Sequence, residues 1–553
     1  MKSRNKAFLN FAVTLMASSA VAAPSIAEAL KQGPGSLKKE GQTSISLPVA
    51  LTLPPSVSSN QSISVSKIEV VGVSSVDNAE LQPLISKLEG RSVTLSELNT
   101  LCTAITDLYR RKGYFLSRAY VPQQEIQAGL LKIRVIEAKL SDVSLTNNSL
   151  ASTDIIEARL SLADINGHIS DTKIESALAA AADLAGVQIT RATVAPGVET
   201  GSTKLLITTA PKDRWAGSAY VDNYGALYTG KTRAGLSAVL ASPTGTGDEL
   251  SFSMISTTSA GLISGFLRYE KPIYTRSTIF AQFAHTDYQL GGTYTALDAH
   301  GKADSAEVGA SYVIAQSLTH KFSATFAAGT RGIEDVVEAA LTSNPKSDTY
   351  GTAAVDFRKT FVDGNRTANA NFGAKLTSGN LRFKDQANAT QDLGTSNTQG
   401  NYTKIEVSAA YSHPVLSESY VSLTVKNQIA LNSKNLDGSQ KIGMTGSDGL
   451  RAYSSSELLG DNGLLAQLEF QSPIYNSGGL KITGGLFFEY AKVSGSNSTS
   501  EVVTRSLSDY GLQAIAYYGT WRLNGCFAYG TSSNTISEPS ANTKVTFKIS
   551  KDF

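Results

Sequence analysis

The chain ends on Thr543-Lys544-Val545-Thr546-Phe547-Lys548-Ile549-Ser550-Lys551-Asp552-Phe553. Val545, Phe547, Ile549 and the terminal Phe553 fall on one parity, and successive side chains of a strand point to opposite faces, so these four form one apolar stripe. Lys551 interrupts the stripe. Near a membrane interface a lysine can extend its ammonium to water, at a cost of roughly 0–1 kcal/mol. An apolar parity beside a polar one, closing the chain on an aromatic residue, suits a strand with lipid on one side and water on the other.

The alternation runs back to Asp213. Sixteen segments of roughly ten alternating residues start near Arg214, Lys231, Asp248, Gly261, Ser277, Asp304, Thr319, Asp348, Arg366, Tyr402, Ser419, Gly463, Leu480, Arg505, Thr520 and Thr543. An even count is what a single-chain bacterial barrel requires. The connectors alternate too: Ala315-Gln316-Ser317, Val362-Asp363-Gly364 and Tyr518-Gly519 are short, whereas 287–303, 331–346, 381–400 and 432–462 read as long loops. Short periplasmic turns and long outer loops follow the membrane rule. A soluble β-rich domain would also alternate, but the even count and terminal Phe favour a transmembrane barrel over 213–553.

Upstream of Asp213 the periodicity changes. Leu98, Leu101, Cys102, Ile105, Leu108 and Tyr109 recur at helical spacing, Thr94 and Glu97 have capping-box spacing, and Gly113 stops the helix. Tyr114 to Val121 and Leu130 to Ile136 read as strands. The order strand, helix, helix, strand, strand then recurs, with helices over 154–162 and 174–184 and strands over 143–145, 189–194 and 204–209. Two α+β units are expected, over 63–138 and 139–212. Residues 23–62, rich in Pro, Gly and Ser, form a linker with one short helix-compatible piece, 27–32. Lys2, Arg4 and Lys6 precede an apolar run and Ala20-Val21-Ala22, which makes 1–22 a secretory signal peptide.

Composition narrows the function. Lys+Arg number 49 against 47 Asp+Glu, a formal net charge of +2, so no nucleic-acid coat is expected. With 2 Cys and 5 His, far apart, neither a disulfide framework nor a metal cluster is expected, and Cys102 reads as a core thiol. No nucleotide is expected outside the inner membrane to drive a process there, and no other cofactor is expected. His285 with Asp287 lacks an accompanying nucleophile motif, which argues against a hydrolase.

Gly113-Tyr114-Phe115-Leu116-Ser117-Arg118-Ala119-Tyr120-Val121-Pro122-Gln123-Gln124, followed by Gly129-Leu130-Leu131, resembles the signature of the polypeptide-transport-associated (POTRA) region of two-partner secretion transporters. Val221-Asp222-Asn223-Tyr224-Gly225 and Ser242-Pro243-Thr244-Gly245-Thr246-Gly247-Asp248 resemble that family's barrel opening and first periplasmic turn. Gly449-Leu450-Arg451-Ala452-Tyr453 resembles the Val-Arg-Gly-Tyr type of sixth extracellular loop, and Phe487-Phe488-Glu489 the Phe-x-Asp motif of the inner wall, with Glu in place of Asp.

The resemblance implies two periplasmic POTRA domains and a 16-stranded outer-membrane pore. Such a pore exports one large partner with a β-helical passenger, an adhesin, haemolysin or contact-dependent toxin, without nucleotide hydrolysis. It implies a plug helix within 23–62, lipid and lipopolysaccharide around the barrel, and insertion by the barrel-assembly machinery. Arg451, Tyr453, Phe487 and Glu489 would lock the loop to the wall. Tyr114, Arg118, Pro122, Gln123 and Gln124 would lie in the region that meets the client. The rival reading is a barrel-assembly insertase of the same superfamily, for which more than two periplasmic repeats are expected.

Overall fold

The computed structural model describes residues 62–553 except 260, 365, 417, 456, 501 and 533–541, so the expected signal peptide and plug helix lie outside the described residues. The first α/β unit contains β1 (Ser62–Val65), β2 (Lys67–Val71), α1 (Asn78–Ile85), β3 (Arg91–Thr94), α2 (Leu95–Arg111), β4 (Arg118–Tyr120) and β5 (Leu130–Ile136). The Thr94 hydroxyl accepts the Glu97 N–H while the Glu97 carboxylate accepts the Thr94 N–H, so both ends of the capping box are made at the start of α2. The stripe Leu98, Leu101, Cys102, Ile105 and Tyr109 is buried against β2-β5-β4, in which β2 and β5 run parallel. Each such large apolar side chain contributes about 1.5–3 kcal/mol on burial.

The second unit repeats the plan with β6 (Lys139–Thr146), α3 (Thr153–Leu160), α4 (Asp171–Ala182), β7 (Val187–Pro196) and β8 (Ser202–Pro211), its sheet ordered β6-β8-β7. Small residues Ala177, Ala180 and Ala181 on α4 are fully buried, letting the helix axis approach the sheet. Gly186, at φ +80°, ends the segment after α4 in a conformation that a side chain would strain.

The expected strand over Tyr114–Val121 is only partly formed: β4 keeps Arg118–Tyr120, and the residues before it turn inward between the two units. Tyr114 packs on the first core, whereas Phe115 and Leu116 pack on the second. Asp171 N–H donates to Gly113 O at 3.1 Å across the same seam.

The barrel is closed by sixteen antiparallel strands. They are β9 (Trp215–Asp222), β10 (Arg233–Ala241), β11 (Glu249–Thr257), β12 (Leu262–Ile273), β13 (Ser277–Gln289), β14 (Ala299–Gln316), β15 (His320–Val337), β16 (Thr342–Asp363), β17 (Arg366–Phe383), β18 (Gly400–Pro414), β19 (Tyr420–Ala430), and, after the two-residue loop strands β20 (Ile442–Gly443) and β21 (Leu459–Gly460), β22 (Asn462–Ser477), β23 (Leu480–Ser494), β24 (Arg505–Tyr518), β25 (Trp521–Gly530) and β26 (Thr543–Asp552). β26 pairs with β9 from Lys548↔Asp222 to Asp552↔Ser218, which closes the cylinder.

Val545, Phe547, Ile549 and Phe553 are all exposed on the outer face, and the Lys551 ammonium lies 5.4 Å from the Trp521 ring centroid. One expectation is corrected. The stretch 331–346 is not a long loop, because β15 runs on to Val337 and β16 begins at Thr342, with a single 3-10 turn at Glu338–Ala340 between them. At 18 to 22 residues, β14 to β17 are about twice the length that a bilayer needs, so the wall stands above the membrane on that side.

The second unit is docked beneath this same side. The Arg159 guanidinium on α3 donates to Thr275 O at 2.7 Å in the β12–β13 turn, and Ser152 N–H donates to Gly245 O at 2.8 Å in the β10–β11 turn. Lys321 pairs with Asp183 at 2.6 Å beside the β14–β15 turn.

Candidate functional site: the lumenal loop and the periplasmic edges

The long connection from β19 to β22 folds back into the barrel. Gly449 permits the return: a Cβ there would lie 2.2 Å from Met444 O. Leu450 is fully buried among Met444, Leu458 and Leu465, which fixes the height of the residue that follows.

Arg451 then enters a nest of three carboxylates. Its Nε lies 3.1 Å from Glu489 Oε1 on β23, another guanidinium nitrogen meets Glu469 on β22, and Nη1 donates to Gln513 Oε1 on β24 at 3.0 Å. The guanidinium carbon lies 4.3 Å from the Phe487 ring centroid, a cation–π contact shielded from water. Backbone groups join in: Arg451 N–H donates to Glu489 Oε2 at 3.0 Å and Ala452 N–H to Asp509 Oδ2 at 2.7 Å. Gln467 bridges Gly449 O at 3.1 Å and Glu489 Oε1 at 2.7 Å. The Tyr453 hydroxyl donates to Ser508 O at 3.1 Å and accepts the Ser532 N–H at 3.2 Å.

All four expected loop and wall residues are therefore brought together. Glu489 is 0% exposed, and its extra methylene relative to Asp lets one carboxylate serve both the guanidinium and the backbone N–H. Glu469, Gln467, Asp509 and Gln513 were not singled out in the sequence. Their only signal is polarity at alternate positions of β22 and β24, which any water-lined wall also shows. The tip is thus held by side chains and isolated N–H groups, with no strand ladder joining it to the wall among the described residues.

The five periplasmic candidates separate. Tyr114 stands edge-on to Tyr109, with ring centroids 6.1 Å apart, and packs in the core. The Gln124 amide donates to Lys132 O at 2.7 Å and accepts Lys132 N–H at 2.8 Å, so it caps β5 where β4 ends. Arg118 lies on the short edge strand β4, and Pro122 and Gln123 follow on the surface. In the second unit β7 is a ten-residue edge strand, paired with β8 alone among the described strands.

At the seam between the units the Glu137 carboxylate is 4% exposed. It accepts from Tyr109 OH at 2.6 Å and from the N–H groups of Ser74 and Ser75 at 2.8 Å, and lies 3.2 Å from His168 Nε2 of the second unit. Burial by itself would raise this carboxyl; the hydrogen bonds from Ser74, Tyr109 and Ser75 outweigh it and hold the group at about 2.

A closed sixteen-stranded barrel with an α/β unit docked on its short-turn face and an inward-folded loop has the architecture of an outer-membrane pore with periplasmic domains. Comparison with known proteins makes this specific. The profile of the POTRA domain, ShlB-type, matches residues 63–138, and that of the haemolysin secretion/activation protein ShlB/FhaC/HecB matches residues 201–508. The chain belongs to the ShlB/FhaC/HecB family of haemolysin secretion/activation proteins, and is a two-partner secretion transporter of the outer membrane with its POTRA region in the periplasm.

Among its relatives, the Heme/hemopexin transporter protein HuxB of Haemophilus influenzae is 25% identical over 417 residues, covering 74% of this chain and 72% of the relative. The Hemolysin transporter protein ShlB of Serratia marcescens is 26% identical over 211 residues, 38% and 36% of the two chains. The structure of CdiB from Escherichia coli shares the fold with a TM-score of 0.71 at 19% identity, over 91% of this chain and 94% of that one.

Proposed function

We propose that this transporter captures one large, unfolded exoprotein with a β-helical passenger in the periplasm and threads it through the lumen to the surface. The reading rests chiefly on the loop tip. Arg451 is held by contacts that can be released without breaking the barrel ladder, so the lumen can open while the wall stays intact. Outward folding of the client at the cell surface supplies the drive.

Residues 139–212 act as a second POTRA domain. Its β7 edge accepts the client by strand addition, where main-chain hydrogen bonds give affinity without demanding a sequence. Arg118, Pro122 and Gln123 meet the client beside the shorter β4 edge. Residues 1–22 direct export, 23–62 supply the linker and plug helix, the barrel-assembly machinery inserts the pore, and lipid and lipopolysaccharide surround it. The apolar outer stripe, with Phe326 and Val308 each more than 60% exposed, suits that surround.

The test is deletion of 63–138. Surface display of the cognate exoprotein should be lost while the barrel remains in the outer membrane with normal heat-dependent gel mobility; undiminished display would refute capture by this unit.

A further inference from the structure

The lumenal loop touches the wall a second time, ahead of the Arg451 tip and on a different arc. Its descending limb forms a 3-10 turn at Gly438–Gln440, capped by Asp437, whose Oδ1 accepts the Ser439 N–H at 3.0 Å. The other Asp437 oxygen accepts Lys346 Nζ at 2.8 Å, and Lys346 also lies 3.2 Å from Asp335 Oδ2. Gln440 Nε2 donates to Asp348 Oδ2 at 2.8 Å, and Gln440 O accepts Lys404 Nζ at 3.0 Å.

These groups are inside: Asp348 is 0% exposed, Lys346 and Gln440 5%, and Asp437 9%. Lys346 and Asp348 alternate on the inner face of β16, in the part of that strand that rises beyond the length a bilayer needs. The raised wall thus carries the groups that grip the limb.

The two attachments differ in chemistry. The tip sits beside an apolar cluster that includes Leu450, Tyr453 and Phe487. The limb contributes one buried apolar side chain, Leu436, and is otherwise held by ion pairs and amide hydrogen bonds. These contacts grip the limb from β16 and β18 and the tip from β22, β23 and β24, so the two attachments share no wall strand and either can be broken without the other.

We infer that Lys346 and Asp348 form a second anchor of the lumenal loop, releasable separately from the Arg451 knot, so that the limb swings clear while the tip serves as pivot. The use of this motion in export rests on the transport function proposed above; the existence of two independent anchors does not.

The test uses the full chain in lipid vesicles, with Cys102 and Cys526 replaced by Ala, and a nitroxide attached through Ser439→Cys on the limb or Ser455→Cys beyond the tip. Both labels should give immobilised spectra. Lys346→Met should raise the mobile fraction of the limb label at least twofold and leave the other unchanged. Asp437→Asn with Gln440→Leu, which leaves the wall sequence untouched and so avoids any failure of barrel folding, should do the same. Glu489→Gln with Arg451→Gln should free the second label and spare the limb. Unchanged limb spectra in the first two variants, or release of both labels by any one of them, would overturn the inference. The readout requires no secretion, so a chain that exported nothing would count against the transport function and leave the two-anchor result standing.

Discussion

Arg451 is embedded in more than a charge pair, and this decides how its variants should behave. Glu489 serves both the guanidinium and the Arg451 N–H, while Glu469 and Asp509 crowd the same nest. Removing the guanidinium leaves confined carboxylates short of a partner, a loss on the order of 3–5 kcal/mol where water is excluded. Arg451→Ala should cut export more than tenfold with the barrel still inserted, and Arg451→Lys should restore part, since charge returns but the planar fork does not. Exchanging the charges, Arg451→Glu with Glu489→Arg, should fail to rescue, because a carboxylate at 451 would face Glu469 and Asp509. A secretion assay on this set separates a networked nest from an isolated pair, which the exchange would restore.

Glu137 carries the pH dependence of the periplasmic seam. Its folded value, about 2, lies below the ordinary carboxylate range, so its contribution is fully present above about pH 4.5 and disappears as pH falls toward 2. The amount is on the order of 3 kcal/mol. Melting of the periplasmic units in the intact chain should fall between pH 5 and 3, and Glu137→Gln should lower the melt at pH 5 and flatten that slope. A slope unaltered by the substitution would assign the acid limb to other groups.

At the scale of elements, the signature Gly113-Tyr114-Phe115-Leu116 proves to be a joint. Tyr114 packs on the first core, Phe115 and Leu116 on the second, and a Cβ on Gly113 would lie 2.4 Å from Asp171 Oδ1. Changing both Phe115 and Leu116 to Ala should cost the second unit about 2–4 kcal/mol. Hydrogen exchange should rise in α4 and stay slow in α2, whose core excludes both residues; equal loosening of both helices would show one shared core. Periodicity reveals that these residues are apolar and cannot say which core receives them. The barrel strands were legible for the opposite reason, because lipid outside and water inside impose a period of two that ends wherever a turn begins. That signal fails above the membrane. With water on both faces, 331–346 carries no apolar stripe and reads as loop, yet it belongs to β15 and β16 and holds Lys346. Arg451 and Glu489 could be found through a resemblance; Glu469 and Asp509 are indistinguishable in sequence from ordinary lumen lining.

At the scale of the whole molecule, a capture unit, a docked second unit, and a barrel with a latched loop form one route from periplasm to surface. If the 27–41 segment plugs that route, its deletion should raise single-channel conductance in planar bilayers, and identical currents would reduce it to a tether. The central claim, passage through the lumen, is tested most directly by two neighbouring residues of β13. Gln282 is 8% exposed and hydrogen-bonds to Arg268 within the barrel, while Phe283 is 51% exposed on the lipid face. A photo-cross-linking residue at each position, illuminated while the cognate exoprotein is stalled in transit, should capture the exoprotein from 282 and not from 283. Surface delivery with no adduct at 282, or equal adducts at both positions, would place the route elsewhere.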